Sequence, residues 1–423
     1  MEVITIEGGH PITGEVTVEG AKNSALKLMA ATILAPGVST LTNVPNIADV
    51  HVMGKVLKEL GAKIVVADEH TLIIDTSAVD RWETPYHLVA QMRASTAVLG
   101  PLIGRFGKAT VAMPGGCNIG ARKIDLHLLG LQALGVEFDM SHGDICATTP
   151  HGLTGATVSL DFASGGATEN LMMASVRAKG ITTIDNAARE PEIVDLANML
   201  NEMGAKVRGA GTPVIEIEGV AELAPVVHEV VGDRIEAGTF IAMAGVCGGP
   251  VTVKGFEPAH LGLVLKKYEQ MGITIEQGPR QCVIARSVPL RPVDIQTLPF
   301  PGFPTDMQAQ TMCALALAEG SCVITENVFE NRFMFASELS RMGSNIVIEG
   351  HHAIVHGVPG FSGAQVKAPD LRGGAALAMA GLVAEGVTTI SDIYHIDRGY
   401  ERFVEKLRSL GAKVSREEQD IPE

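Results

Sequence analysis

LKELGAKIVV (residues 57–66) is an amphipathic segment that runs into a Leu-Gly step and then a strand, and the phrase returns five times. The copies are LQALGVEFDM (131–140), LNEMGAKVRG (200–209), YEQMGITIEQ (268–277), LSRMGSNIVI (339–348) and LRSLGAKVSR (407–416). Their glycines, Gly61, Gly135, Gly204, Gly272, Gly343 and Gly411, recur about every seventy residues, a period longer than that of ordinary solenoids. A glycine in this place is the expected left-handed cap of a helix before a strand. Upstream of each phrase lies a Gly-started strand: GVSTLTNV, GKATVAMP, GITTIDNA, GPVTVKGF, GSCVITEN and GVTTISDI. Before each strand sits an Ala-rich helix: AKNSALKLMAATILA, QMRASTAVLGPLIGRF, GATENLMMASVRA, IEAGTFIAMAGVCG, TDMQAQTMCALALAE and LRGGAALAMAGLVAE. These helices are apolar nearly all round, which places them inside, whereas the second helix of each unit keeps a charged face.

Six helix-strand-helix-strand units predict an α/β fold with helices inside and sheets outside. Three units per domain divide the chain near residue 230, within VVHEVVGDRIEAGTF. The first domain is expected over 22–230, and the second over 231–423 together with 1–21, whose opening strand has no unit of its own and is expected to pair with the second half.

The remaining bulk properties fit a globular chain. Of 423 residues, 46% are hydrophobic and 19% charged, so a disordered chain is excluded, and 4% aromatic content means a core of small aliphatic groups. A net charge of −15 argues against nucleic acid and against anionic membranes as partners. Cys117, Cys146, Cys247, Cys282, Cys313 and Cys322 are scattered without a C-x-x-C pair and read as free thiols of a reducing compartment. There is no signal-peptide pattern, and apolar runs such as 239–247 are too short to span a bilayer, so a cytoplasmic location is expected. The thirteen histidines form no H-E-x-x-H, and neither zinc spacing nor a P-loop nor a dinucleotide fingerprint occurs, so no metal and no cofactor are expected. Oligomeric state is left open.

Chemistry gathers at two recurrent places, the start of the buried helix and the loop after the Gly-started strand. Lys22-Asn23, Arg93 and Arg372 stand at helix starts, where the dipole disfavours a cation unless an anion is bound. Arg122, Arg189, Arg332 and Arg398 stand in loops, and Arg suits bidentate phosphate and carboxylate contacts. In a chain this acidic, such cations predict a small polyanionic substrate. The loop Met113-Pro-Gly-Gly-Cys-Asn-Ile-Gly-Ala-Arg122 presents Cys117 near a cation that favours the thiolate, against the alternative of a small buried apolar Cys. Asp306 reads from its neighbours as part of a Thr305–Gln308 capping box, with a general base as the alternative. Glu190 and Glu192 read as structural partners of Arg189.

Over essentially its whole length the chain resembles the UDP-N-acetylglucosamine 1-carboxyvinyltransferases, enolpyruvyl transferases of the EPSP synthase superfamily. The resemblance rests on GEVTVEGAKNSALKL, QMRASTAVLGPL, PGGCNIGARKIDLHLLGLQALG, NAAREPEIVDLANML, DRIEAGTF, FPTDMQAQ, VFENRFMFASELSRMG and YHIDRGYERFVEKLRSLGA, in the family's order. It implies an inside-out α/β barrel of two three-unit domains closing over a cleft that holds the active site. It implies phosphoenolpyruvate and UDP-N-acetylglucosamine as substrates, Cys117 as general acid toward the methylene carbon, and Asp306 as acceptor of the 3-hydroxyl proton. Lys22, Asn23, Arg122, Arg372 and Arg398 carry over to phosphoenolpyruvate, with Lys22 and Arg398 also catalytic. Asn23, Arg93, Arg122, Lys123, Ile124, Asp125, Leu126, Ser164, Gly165, Asp306 and Val328 carry over to the UDP-sugar, and Glu190 and Arg332 to support. The chain departs from the pattern at Lys123, where Pro is common, at Ala48, where some members have Lys, and at Gly373-Gly374. Retention of Cys117 implies covalent inhibition by fosfomycin. The rival readings are the sister enzyme acting on shikimate 3-phosphate, which does not use the PGGC loop, and a non-catalytic UDP-sugar-binding paralogue, which would need neither Cys117 nor Asp306.

Overall fold

The Ala-rich segments form helices Lys22–Ala31, Leu99–Phe106, Gly165–Ser175, Arg234–Cys247, Gln308–Leu315 and Leu371–Val383, and most residues of each are buried. The computed structural model describes residues 1–89, 93–113, 124–140 and 143–418, with the backbone alone at 93–95. Small residues are required because the helices touch backbone to backbone. A Cβ on Gly100 would lie 2.4 Å from the carbonyl oxygen of Asn170, and one on Gly238 would lie 2.7 Å from the sulfur of Met307. The outer helices are Ala48–Glu59, Asp125–Ala133, Pro191–Glu202, Gly262–Gln270, Phe335–Arg341 and Phe403–Ser409. Each ends at the glycine of the repeated phrase, with φ between 90° and 110° (Gly411 and Gly61 at the extremes), the left-handed cap expected from sequence.

Six four-stranded sheets carry one recurring order. The Gly-started strand (Val38–Thr42, Lys108–Ala112, Ile181–Asp185, Val251–Lys254, Ser321–Thr325 or Val387–Ser391) lies second in its sheet. The strand after the outer helix lies at the far edge. Between the two runs an antiparallel strand that the repeated phrases do not announce, for example Thr71–Asp75 or His352–His356. A short parallel strand, sometimes only two residues long as in Glu83–Thr84 and Ile295–Gln296, occupies the near edge. The structure therefore adds two strands to each helix-strand-helix-strand unit.

Two compact bodies result. One comprises Met1–Glu19 and Gly232–Glu423, and the other lies within 20–231. In the sixth sheet the missing middle strand is Glu2–Glu7, antiparallel to both Val387–Ser391 and Lys413–Glu418. Gly14–Thr17 supplies the parallel edge for Val251–Lys254, and Val227–Glu229 does the same for Val38–Thr42. Segments remote in sequence thus complete the sheets. Among the described residues no helix is long and apolar enough to cross a membrane.

Candidate active site

In the body of 20–231, helix Lys22–Ala31 begins after an extended Ala21, with neither a side-chain cap nor an acidic residue in its first turn. The exposed positive end of the dipole therefore coincides with Lys22 and Asn23. Lys22 is accommodated because its Nζ lies 3.3 Å from Oδ2 of the buried Asp49, in the first turn of Ala48–Glu59. Ser24 donates to Asp195, which also accepts from Nε2 of His228 at 3.0 Å and from the amide of Val231 at 3.1 Å. The other imidazole nitrogen of His228 faces Glu202 at 2.7 Å. Burial alone would pull the His228 pKa down, but the two carboxylates outweigh it and hold the imidazole above its ordinary value.

Ile124, Asp125 and Leu126 open helix Asp125–Ala133, and Ser164 caps Gly165–Ser175 by accepting from the amide of Ala167 at 3.3 Å. The structure brings these two helix starts together. His127 joins them: its Nδ1 is 3.0 Å from the amide nitrogen of Asn170, and a Cβ on Gly166 would meet its ring at 3.0 Å. Among the described residues, a Cβ on Gly165 would meet nothing within 4 Å. Two helix starts suit an anionic group. Glu190 holds the N-cap position of Pro191–Glu202. Arg93 starts a 3-10 turn that reaches Val98. Cys117, Arg122 and Lys123 lie outside the described residues.

The second body carries Asp306, Val328, Arg332, Arg372 and Arg398, and brings Asp306, Arg332 and Arg372 into contact. Asp306 Oδ1 accepts from Arg332 Nη2 at 2.7 Å, and Oδ2 from Arg372 Nη2 at 3.2 Å. Both arginines are only 3% exposed. Burial would lower the Arg372 pKa, yet Tyr400, Asp306 and Asp233 together raise it, so the guanidinium stays charged. Nε and Nη1 of Arg372 have no hydrogen-bond partner among the described residues. Two buried, charged donors without acceptors are costly, and a ligand carboxylate or phosphate would satisfy them. Arg398 follows helix Tyr394–Asp397, and its charge adds to burial in lowering the pKa of His395.

The capping box expected at Asp306 is not formed. The Thr305 hydroxyl donates instead to Oε2 of Glu326 at 2.9 Å, and no side chain caps the turn Thr305–Met307. Glu326 is buried and must collect donors. Its Oε1 accepts from Thr297 at 2.9 Å, from the amide of Val328 at 2.8 Å and from that of Phe329 at 3.2 Å. One carboxylate thereby fixes both the Asp306 turn and the Val328 loop. Sequence reasoning passed over Glu326, Asp49 and His127, since an isolated acid or imidazole carries no pattern.

A family model described as EPSP synthase (3-phosphoshikimate 1-carboxyvinyltransferase) matches residues 6–407. The chain belongs to this family of carboxyvinyltransferases. It is 54% identical over 418 residues to the UDP-N-acetylglucosamine 1-carboxyvinyltransferase 2 of Carboxydothermus hydrogenoformans, with 98% of this chain and 99% of the relative covered. Among solved structures it is similar to the enolpyruvyl transferase NikO from Streptomyces tendae, with a TM-score of 0.88, 28% identity, and 98% and 99% of the two chains covered. The EPSP synthase of Acinetobacter baumannii shares the fold at a TM-score of 0.75 and 18% identity, covering 99% of this chain and 100% of its own. The expected α/β architecture of enolpyruvyl transferases is therefore the one observed.

Proposed function

We propose that the protein transfers the enolpyruvyl group of phosphoenolpyruvate to the 3-hydroxyl of UDP-N-acetylglucosamine, releasing phosphate, as the first committed step of peptidoglycan precursor synthesis. The observation that carries this reading is the Asp306–Arg332–Arg372 cluster, in which a half-buried carboxylate sits beside two buried guanidiniums, one with donors that still lack an acceptor. Near-full-length identity of 54% to a UDP-N-acetylglucosamine 1-carboxyvinyltransferase supports the choice of acceptor over shikimate 3-phosphate. A cytoplasmic site of action, with no nucleic-acid or membrane partner, belongs to the same reading.

In this mechanism the sugar O3 attacks carbon 2 of phosphoenolpyruvate as its proton passes to Asp306, and Cys117 delivers a proton to the methylene carbon. The product is a tetrahedral phospho-ketal. The carbon–oxygen bond to phosphate then breaks, carbon 3 returns a proton, and the enol ether remains. A carboxylate oxygen can accept two hydrogen bonds, so a hydroxyl can approach Asp306 while both guanidiniums stay bound. Protonating Asp306 removes the counter-charge of Arg332 and Arg372 and leaves their positive charge for the phosphate and carboxylate of the intermediate, the electrostatic stabilisation that is usually the largest single term in catalysis. Arg372, Arg398, Lys22, Asn23 and Arg122 would hold phosphoenolpyruvate. Ser164 and Gly165, with the segment that runs from Arg122 through Lys123, Ile124 and Asp125 to Leu126, would receive the UDP-sugar, with Arg93 and Val328. Glu190 would support the first set.

Phosphate release from the two substrates, with Cys117→Ala in parallel, tests the proposal. UDP-sugar-dependent release that collapses in the variant is expected. Release with shikimate 3-phosphate instead would transfer the protein to the sister activity, and undiminished release in the variant would remove Cys117 from the chemistry.

A further inference from the structure

Helices Arg234–Cys247, Gln308–Leu315 and Leu371–Val383 pack on one another, and their shared interior holds a polar chain to which the proposed mechanism gives no part. Thr239 donates its hydroxyl proton to the carbonyl of Ile235 at 2.9 Å. That proton being used, the Thr239 oxygen can only accept, and it does so from Tyr400 at 2.9 Å and from the Gln310 amide at 2.9 Å. Tyr400 is therefore the donor in its contact, and its burial, which pushes the phenol upward, keeps the proton in place. Gln310 reaches the same phenol at 3.4 Å.

Two neighbours of the ring so anchored bear on the site. Phe403 packs with its centroid 5.3 Å away, and the guanidinium carbon of Arg372 lies 5.3 Å from the Tyr400 centroid. Tyr400 is also two residues beyond Arg398, and its amide is tied to the carbonyl of Ile396 at 3.0 Å. Tyr400 thus meets Arg372 with its ring and is tied by its backbone amide to the turn that carries Arg398.

We propose that Tyr400 is a positioning residue for phosphoenolpyruvate: its ring face fixes the plane of the Arg372 guanidinium, so that the two unpartnered N–H groups are presented to the substrate anion. The role depends on the enolpyruvyl-transfer activity proposed for the protein. A cation over a desolvated aromatic face is oriented as well as stabilised, and Arg gains from stacking what a Lys would not.

The test is steady-state kinetics of phosphate release, varying phosphoenolpyruvate and then UDP-N-acetylglucosamine. Tyr400→Leu is expected to raise KM for phosphoenolpyruvate about tenfold while KM for the UDP-sugar changes less than about twofold. Tyr400→Phe, which keeps the ring, is expected to raise it about threefold. In an Arg372→Lys background each second substitution should add less than about twofold, because residues acting through one contact are not additive. Equal rises for both substrates, an unchanged KM in Tyr400→Leu, or the same factor in both backgrounds would overturn the proposal. Should circular dichroism show the Leu variant unfolded, the Phe variant in the two backgrounds decides: a rise present only with Arg372 supports the role, and equal or absent rises overturn it. A wild type that releases no phosphate overturns the functional reading and the Tyr400 role with it, whereas a wild type that turns over beside an unaffected Tyr400→Leu overturns the Tyr400 role alone.

Discussion

Lys22 and Arg372 open corresponding inner helices, and each meets a carboxylate, at 3.3 Å from Asp49 and 3.2 Å from Asp306. The two helix starts are nevertheless built differently. The Arg372 helix is capped by Asp370, whose side chain accepts from the amides of Arg372 and Gly373. The Lys22 helix has no side-chain cap and is tied down through Ser24 to the Asp195–His228 clasp. One start is secured by a carboxylate at its own N-cap. The other depends on an imidazole. A helix start can therefore carry a cation in either of two ways, and the second brings in an imidazole whose pKa is raised.

Substitutions at the two acids should separate these roles most widely. Asp306→Asn keeps the shape but removes the proton acceptor, and turnover is expected to fall by about 10² to 10⁴ in single-turnover assays. A rate near wild type would return Asp306 to a purely structural place. Asp49→Asn leaves Lys22 charged and less well oriented, and a loss of about tenfold in kcat/KM for phosphoenolpyruvate is expected, with KM for the UDP-sugar little changed.

The clasp offers a pH test. The folded pKa of His228 is raised above its ordinary 6.5, so its stabilising contribution is fully present below that value and is lost as pH rises through the higher folded value. Thermal melts should show Tm falling by a few degrees over that window in the wild type, with a flatter profile in His228→Phe. Parallel profiles would mean that the imidazole does not support the helix start. The smallest effect is expected at Ser164→Ala, where losing the cap costs about 1 kcal/mol, visible as a small drop in Tm and a modest rise in KM for the UDP-sugar.

Much of the architecture was legible because the repeated Gly step has a steric cause. A left-handed cap needs glycine, and the need recurs in all six units. The buried helices were legible for a similar reason, since only small residues allow approaches such as that of Gly100 to Asn170. The extra strands were not, because two-residue segments such as Glu83–Thr84 and Ile295–Gln296 are too short to show alternation. In the candidate site, Arg332 and Arg372 could be singled out as cations in odd places. Their meeting at Asp306 could not, as it joins residues far apart in sequence. The capping reading of Thr305 failed for the same reason: its competitor, Glu326, lies just past the end of a separate strand.

The completion of the sixth sheet by Glu2–Glu7 has a consequence for biosynthesis. The body within 20–231 is continuous, so it can fold while the ribosome is still translating the carboxyl-terminal half. The other body pairs Glu2–Glu7 with Lys413–Glu418, a strand made much later in the chain. The strand Glu2–Glu7 must wait, unpaired, until Val387–Ser391 and Lys413–Glu418 have been made. An amino-terminal truncation or a bulky fusion at Met1 would thus be felt at the carboxyl-terminal repeat, and yield on refolding should suffer there while the nascent first half is unaffected.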